Sequence, residues 1–262
     1  MQLPSGLVSL TVEDRIATVR LNRPESLNAI SSALAEELAE VMWEVRHDPN
    51  VWVVVLAAAG EKAFCVGADL KERASFGIYD FYRNREQMRL MFSSIRRISQ
   101  PIVASVFGFA LGGGFELALS CDLIVAADDA TFGLPEVSVG LLPAGGGTQL
   151  LTRKIGVART KDMILRARRI SALEAQEMGL LSDLTTRDGL EARTLEVARE
   201  ICRVSPVAAR ESKEAIDAAL GTPLEQGMEI EQMAWRRVIS SDDRAEGISA
   251  FNEKRDPNWT NR

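Results

Sequence analysis

The chain has 262 residues, enough for one large domain with an appendage or for two smaller units at about 150 residues per domain. Its 46% hydrophobic content supports a buried core, and its net charge of −6, from 31 basic and 37 acidic residues, gives no global positive field to draw in nucleic acid. One histidine, His47, and three dispersed cysteines, Cys65, Cys121 and Cys202, argue against an imidazole zinc site, a Ser-His-Asp hydrolase, a disulfide framework and a thiolate cluster. The opening residues lack a basic-then-apolar secretory pattern and the arginines of a transit peptide. No run reaches the roughly 18 apolar residues of a membrane span. The expectation is a cytoplasmic protein that binds neither membrane nor nucleic acid.

Along the chain, Leu7 to Val12 and Ile16 to Leu21 alternate and are β-branched, which predicts a hairpin around Glu13 and Asp14. Ser31 to Arg46 carries Leu34, Leu38, Val41, Met42 and Val45 at helical spacing. Val51 to Ala58 is a continuous apolar run, as in a strand buried on both faces. Residues 60–80 show weak periodicity. Phe81 to Ile98 is helical, with Phe81, Arg85, Met88, Phe92 and Ile95 on one stripe. A strand over Pro101 to Phe107, a helix over Gly112 to Cys121 and a strand over Leu123 to Ala127 follow. This order predicts βαβ units and a mostly parallel sheet. After Gly145 the pattern turns helical, at 147–155, 158–167, 171–178, 189–203, 206–219, 223–239 and 242–252, broken by a β-like stretch at Leu181 to Thr185.

Two glycine turns follow buried strands: "AFCVGADLKE" (Ala63 to Glu72) and "GFALGGGFELALSCD" (Gly108 to Asp122). Each leads into a predicted helix start, where unpaired backbone N–H groups suit negative charge. Neither is a nucleotide-binding motif. The glycines also read simply as close packing of helix on sheet. Glu116 follows the Gly112-Gly113-Gly114 run, and Glu136 follows Leu134-Pro135, so both stand at predicted helix starts. Each alone is accounted for by helix-dipole complementarity, worth roughly 0.3–1 kcal/mol. Together, beside glycine turns in a chain with one histidine, they suggest a carboxylate acid/base pair.

These segments, with "RPESLNAI" (Arg23 to Ile30), "FGLPEVSVGLLPAGGGTQLLTRKIG" and "DDRAEGISAFNEKR", resemble the enoyl-CoA hydratase/isomerase (crotonase) superfamily over nearly the whole chain. The resemblance implies an α/β fold, a crotonase-like spiral of βαβ units with a C-terminal helical trimerisation region. The corresponding division is a catalytic core over 1–200 and a helical oligomerisation region over 201–262. It implies an acyl-CoA substrate and a homotrimer or dimer of trimers. No cofactor is implied beyond the coenzyme A that belongs to the substrate. An oxyanion hole is implied at the backbone of Ala68 and Gly113, with Glu116 and Glu136 sharing a catalytic water. Substrate contacts are implied at Arg23, Leu27, Ala29, Lys62, Phe64, Gly67, Ala68, Asp69, Leu70, Lys71, Gly112, Gly113 and Pro135, and at Lys254 reaching a neighbouring subunit.

For Arg23, Lys71 and Lys254 a solvated surface charge is the competing reading. Arg83 and Arg85 could face a carboxylated acyl tail or solvent. Retention of both glutamates points to water addition rather than Δ3,Δ2-enoyl-CoA isomerisation, which needs one base, and rather than a CoA-binding scaffold, which needs neither. A hydratase specialised for a branched or carboxylated enoyl-CoA, such as methylglutaconyl-CoA, stays open.

Overall fold

A computed structural model of the chain describes residues 6–262. The hairpin pairs β1 (Val8–Glu13) with β2 (Ile16–Leu21) from Val8↔Leu21 to Glu13↔Ile16. Asp14 and Arg15 both take positive φ, at 49° and 71°, as a two-residue turn matched to strand twist requires. Helix α1 (Ser32–His47) is capped by the Ser31 side chain and buries the predicted stripe of Leu34, Leu38, Val41, Met42 and Val45.

From here one unit recurs. Strand β3 (Val53–Ala58) is followed by the short β4 (Ala63–Cys65) and by helices α2 (Leu70–Arg73) and α3 (Ile78–Arg96). Strand β5 (Ile102–Val106) is followed by the short β6 (Phe109–Leu111) and by α4 (Gly113–Leu119). Strand β7 (Leu123–Ala127) is followed by the short β8 (Thr131–Gly133) and by a 3-10 turn over Pro135–Val139. The five longer strands and the three-residue β10 (Asp183–Thr185) form one sheet in the order β1-β2-β3-β5-β7-β10, and every pair except β1–β2 is parallel. The short strands form a second sheet, β4-β6-β8-β9, with β9 spanning Arg169–Ser171. Each turn of the spiral thus adds one strand to each sheet.

The sequence pattern contains only the first sheet. Four strands of three residues are too short to show periodicity, so Gly108–Asp122, read as a turn leading into a helix, in fact holds β6 as well. Likewise β9 occupies the start of the segment read as a helix over 171–178, which begins as α7 (Ala172–Glu177).

Helices α5 (Gly147–Ile155) and α6 (Val157–Leu165) lead into β9, and α8 (Leu190–Cys202) packs on β3, β5 and β7. Helix α9 (Pro206–Ala219) is tied to the core by Lys213, whose Nζ lies 2.7 Å from Asp122 Oδ2 and donates to the Gln100 carbonyl. Helix α10 (Leu224–Ile239) packs on α9, and α11 (Asp242–Glu253) follows. The fully buried Asp243 accepts from the backbone of Thr260 and Asn261, which brings the last residues back against α11. No helix among the described residues is long and apolar enough to cross a membrane.

The spiral is tightest where α4 meets β4. A Cβ on Gly114 would lie 2.0 Å from the Cys65 carbonyl oxygen, which is main chain and cannot rotate away. Gly114→Ala is expected to destabilise the protein by about 3 kcal/mol or more, toward the upper end for overpacked cores. Gly227→Ala, in α10, would meet only ordinary contacts at 3.4 Å and 3.6 Å and should be neutral or stabilising by up to ~1 kcal/mol. Thermal unfolding of the two variants beside the parent checks the contrast, and equal melting temperatures would refute it.

Candidate active site

Strands β4 and β6 are parallel neighbours, so the turns that leave them emerge side by side. Gly67 has φ of 90°, and a Cβ there would lie 2.8 Å from Gly113 N. The reciprocal Cβ on Gly113 would lie 3.4 Å from Gly67 Cα and 3.7 Å from Ala68 N. Bonds from Ile30 N to Gly67 O and from Asp69 N to Ile30 O hold the first turn on both sides of Ala68. Gly113 opens α4, where helix geometry leaves the N–H without an intrahelical acceptor. Among the described residues, neither the Ala68 nor the Gly113 N–H donates to a protein acceptor. Two adjacent backbone donors therefore face the same space.

Two carboxylates face it as well. Glu116, in the first turn of α4, is only 3% exposed. Its Oε1 accepts from Gly145 N and from Gly147 N, both at 2.7 Å. Burial pushes its carboxyl above the ordinary range, opposed by the amides of Gly145, Gly146 and Gly147 and by the charge of Arg85. Glu136 stands at the second position of the 3-10 turn, after Pro135. Its Oε1 would be 3.1 Å from a Cβ on Gly112, which places the carboxyl against the triple-glycine turn. Among the described residues its buried Oε2 has no hydrogen-bond partner. Burial, and then the negative charge of Glu116, push Glu136 up to about 7 against one backbone hydrogen bond.

The cleft has a volume of about 540 Å³. Phe81, Arg85, Met88 and Phe92 of α3 form one wall, and Val139, Leu141 and Leu142 form the rim beyond the 3-10 turn. The α3 stripe visible in the sequence therefore covers a binding space over much of its length. Of the residues expected at the site, Gly67, Ala68, Leu70, Gly112, Gly113, Glu116, Pro135 and Glu136 line this cleft.

The remainder lie elsewhere. Phe64 is fully buried between the sheets, so its ring cannot touch a ligand. Arg23 is bound to Asp69 Oδ2 at 2.7 Å and to the Ala29 carbonyl at 3.0 Å, while Asp69 also caps α2 through the amides of Lys71 and Glu72. That pair joins the Leu27–Ala29 loop to the first glycine turn, so these residues shape the turn from behind. Leu27 takes φ of 53° there and Ala29 is buried. Lys62 and Lys71 are exposed outside the cleft lining, and Lys254 is exposed at the C-cap of α11. His47 is exposed beside the Trp43 carbonyl and takes no part. Among the described residues no cluster of His, Cys, Asp and Glu could hold a metal ion.

Sequence reasoning missed the donors on Glu116, because backbone amides carry no sequence signature beyond the glycines at 145–147. It also missed Arg96, half-buried on α3, whose Nη1 donates to the Gly145 carbonyl at 3.0 Å.

The family described as enoyl-CoA hydratase/isomerase matches residues 11–262. A mouse (Mus musculus) relative, enoyl-CoA hydratase domain-containing protein 2, mitochondrial, is 40% identical over 248 residues, covering 93% of this chain and 84% of the relative. The crystal structure of an enoyl-CoA hydratase from Bacillus anthracis is 40% identical with a TM-score of 0.95, covering 98% of this chain and 100% of that one. The structure of an enoyl-CoA hydratase/carnithine racemase from Magnetospirillum magneticum is 31% identical with a TM-score of 0.91, covering 98% and 96%. The two-sheet spiral is thus the crotonase fold, and the chain belongs to the enoyl-CoA hydratase/isomerase family.

Proposed function

We propose that this protein reversibly adds water to a trans-2-enoyl-CoA to give a 3-hydroxyacyl-CoA. The observation that carries this reading is the pairing, in one cleft, of two carboxyls held in unlike ways beside two convergent backbone donors. As water attacks C3, negative charge builds on the thioester oxygen. Donors at Ala68 and Gly113 stabilise that oxygen, and one such donor is worth ~10²–10³ in rate. Glu116, its Oε1 occupied by two amides, keeps Oε2 for the water and takes one of its protons. Glu136, whose proton affinity is raised, delivers its own proton to C2. The pair holds one proton before and after, and the next water returns it from Glu116 to Glu136. These steps rest on chain residues alone, and the reading assigns no cofactor besides the coenzyme A of the substrate. Lys62, Lys71 and Arg23 lie outside the lining of the acyl cleft, and the reading assigns them to the remainder of coenzyme A.

Assembly as a homotrimer, or as a dimer of trimers, completes the reading. Ile216, Leu224, Met228 and Trp235 on α9 and α10 are more than half exposed, and Phe251 beside Lys254 is 84% exposed. A face this apolar marks an interaction surface. It would carry Lys254 to a neighbour's coenzyme A.

Glu116→Gln and Glu136→Gln should each lower kcat for crotonyl-CoA hydration by about 10²–10⁴-fold with circular dichroism unchanged. Loss of the enoyl-thioester absorbance is the readout, and full activity in either variant would remove the two-glutamate assignment.

Glu136 also predicts a stability signature. Its folded value of about 7 lies above the ordinary 4.5, so proton binding stabilises the fold fully below pH 4.5. That contribution fades as pH rises through 7. The melting temperature of Glu136→Gln minus that of the parent should therefore increase between pH 4.5 and 7 and then level off. A difference that is flat with pH would show that the carboxyl is not desolvated.

Light scattering should give a trimer or hexamer of the 28.7 kDa chain, and Met228→Glu with Ile216→Glu should shift it toward monomer. A monomeric parent at micromolar concentration would overturn the assembly.

A further inference from the structure

Helix α3 sends two arginines to consecutive carbonyls of one loop. Arg85 Nη1 donates to Ala144 O at 2.6 Å, and Arg96 Nη1 donates to Gly145 O at 3.0 Å. The two stand eleven residues apart, about 16 Å along the helix axis at 1.5 Å per residue. Their side chains converge on adjacent peptides from opposite directions. The peptide whose oxygen receives Arg85 is the one whose N–H, on Gly145, donates to Glu116 Oε1. The peptide whose oxygen receives Arg96 carries the Gly146 N–H, which also favours the charged form of Glu116.

We propose that Arg85 and Arg96 are positioning residues that hold the 144–147 loop and, by polarising its peptides, keep Glu116 in its carboxylate form. A cation on a carbonyl oxygen draws electron density from the same amide and strengthens its N–H as a donor, so the two bonds reinforce each other. Alternative explanations are weaker. Arg96 has no carboxylate ion pair among the described residues, and burial lowers its own proton affinity, so a guanidinium there needs a reason. Residues 145–147 are all glycine, so the loop has no side chains of its own there to anchor it. A Cβ on Gly145 would lie 2.4 Å from the Phe92 ring, so the loop already sits hard against α3 where the arginines leave it. The charged groups facing Glu116 are Arg85 and Arg96 from α3 and Glu136 from the 3-10 turn. Its own helix α4 carries no other charged residue, α5 meets it through the Gly147 amide, and Arg73 of α2 lies beside Arg85.

The proposal rests on the reading of Glu116 as a catalytic base, and the test separates the two. The whole protein would be assayed on crotonyl-CoA as parent, Arg85→Met, Arg85→Lys, Glu116→Gln and the double variant Arg85→Met/Glu116→Gln. Arg85→Met should lower kcat about tenfold or more while KM stays within about threefold, as when a supporting hydrogen bond behind a reactive group is lost. Its acid limb in kcat/KM should move to higher pH, because weaker donors raise the proton affinity of Glu116. Arg85→Lys, which keeps a cationic donor, should recover most of the rate. The double variant should be no slower than Glu116→Gln alone. Arg96→Met should act in the same direction, and it decides the matter if Arg85→Met fails to fold. An unmoved acid limb, an effect confined to KM, or additive slowing in the double variant would overturn the positioning role. Full activity of Glu116→Gln would instead overturn the assignment on which it rests.

Discussion

The geometry of the cleft descends from one contact, the approach of the Gly67 turn to the start of α4. A side chain at Gly67 would strike Gly113 N, and one at Gly114 would strike the Cys65 carbonyl. With both absent, α4 seats its first turn on the end of β4. Its position then fixes three things together. Gly113 N–H faces the same space as Ala68 N–H. Glu116, one turn further on, points toward residues 145–147. Glu136 is carried against Gly112 by β8, the next strand of the same short sheet. A shift of α4 by one ångström would misalign the contacts it makes with both neighbours, which is why the four strands of the second sheet matter more to the site than the six of the first.

A carboxylate as buried as Glu116 needs charge or hydrogen bonds close by, since desolvation disfavours its ionised form. In this protein the bonds are direct and the positive charge stands one peptide away. Placing Arg85 or Arg96 directly on the carboxylate would make a tight ion pair, cancel the upward push of burial and occupy the oxygen that the proposed reaction gives to water. Backbone donors with the arginines behind them occupy only Oε1. This division leaves Oε2 free of those amides, as the proposed role of Glu116 requires.

What was legible in the sequence follows from the range of each interaction. The hairpin and α1 are written in periodicities of two and 3.6, and the core strands in continuous apolar runs, so they appear within windows of five to sixteen residues. Strands β4, β6, β8 and β9 span three residues each and run into turns or a helix start that mask them, whereas β10, equally short, stands out as a β-like stretch between two helices. Both glutamates are legible because each follows a glycine or proline signal that places a helix start. The bond of Arg23 to Asp69, across 46 positions, is not legible from spacing, and it ties a residue expected at the ligand to the first glycine turn. Arg85 and Arg96 are harder still, because their acceptors are carbonyls, and every residue has one. Phe81, Met88 and Phe92 display a stripe that suits core or cleft equally, and only the position of α3 decides between them.

The fold is shared with neighbours whose names include more than one activity, so the reaction must be argued from a few groups rather than from topology. The decisive group is Glu136. Among the described residues its buried Oε2 lacks a partner, and ionisation of the side chain above about pH 7 works against the folded state. No packing role explains this, because a glutamine would fill the same volume without the charge. An isomerase, moving one proton with one base, would have no need for a second carboxyl whose ionisation opposes folding. Addition of water needs one group to remove a proton from oxygen and another to give a proton to carbon, and these must differ in proton affinity at the same pH. Under the proposed reading that difference comes from the surroundings: burial raises both carboxyls, but three amides and the charge of Arg85 oppose it at Glu116, whereas a single backbone hydrogen bond opposes it at Glu136, which is pushed up to about 7.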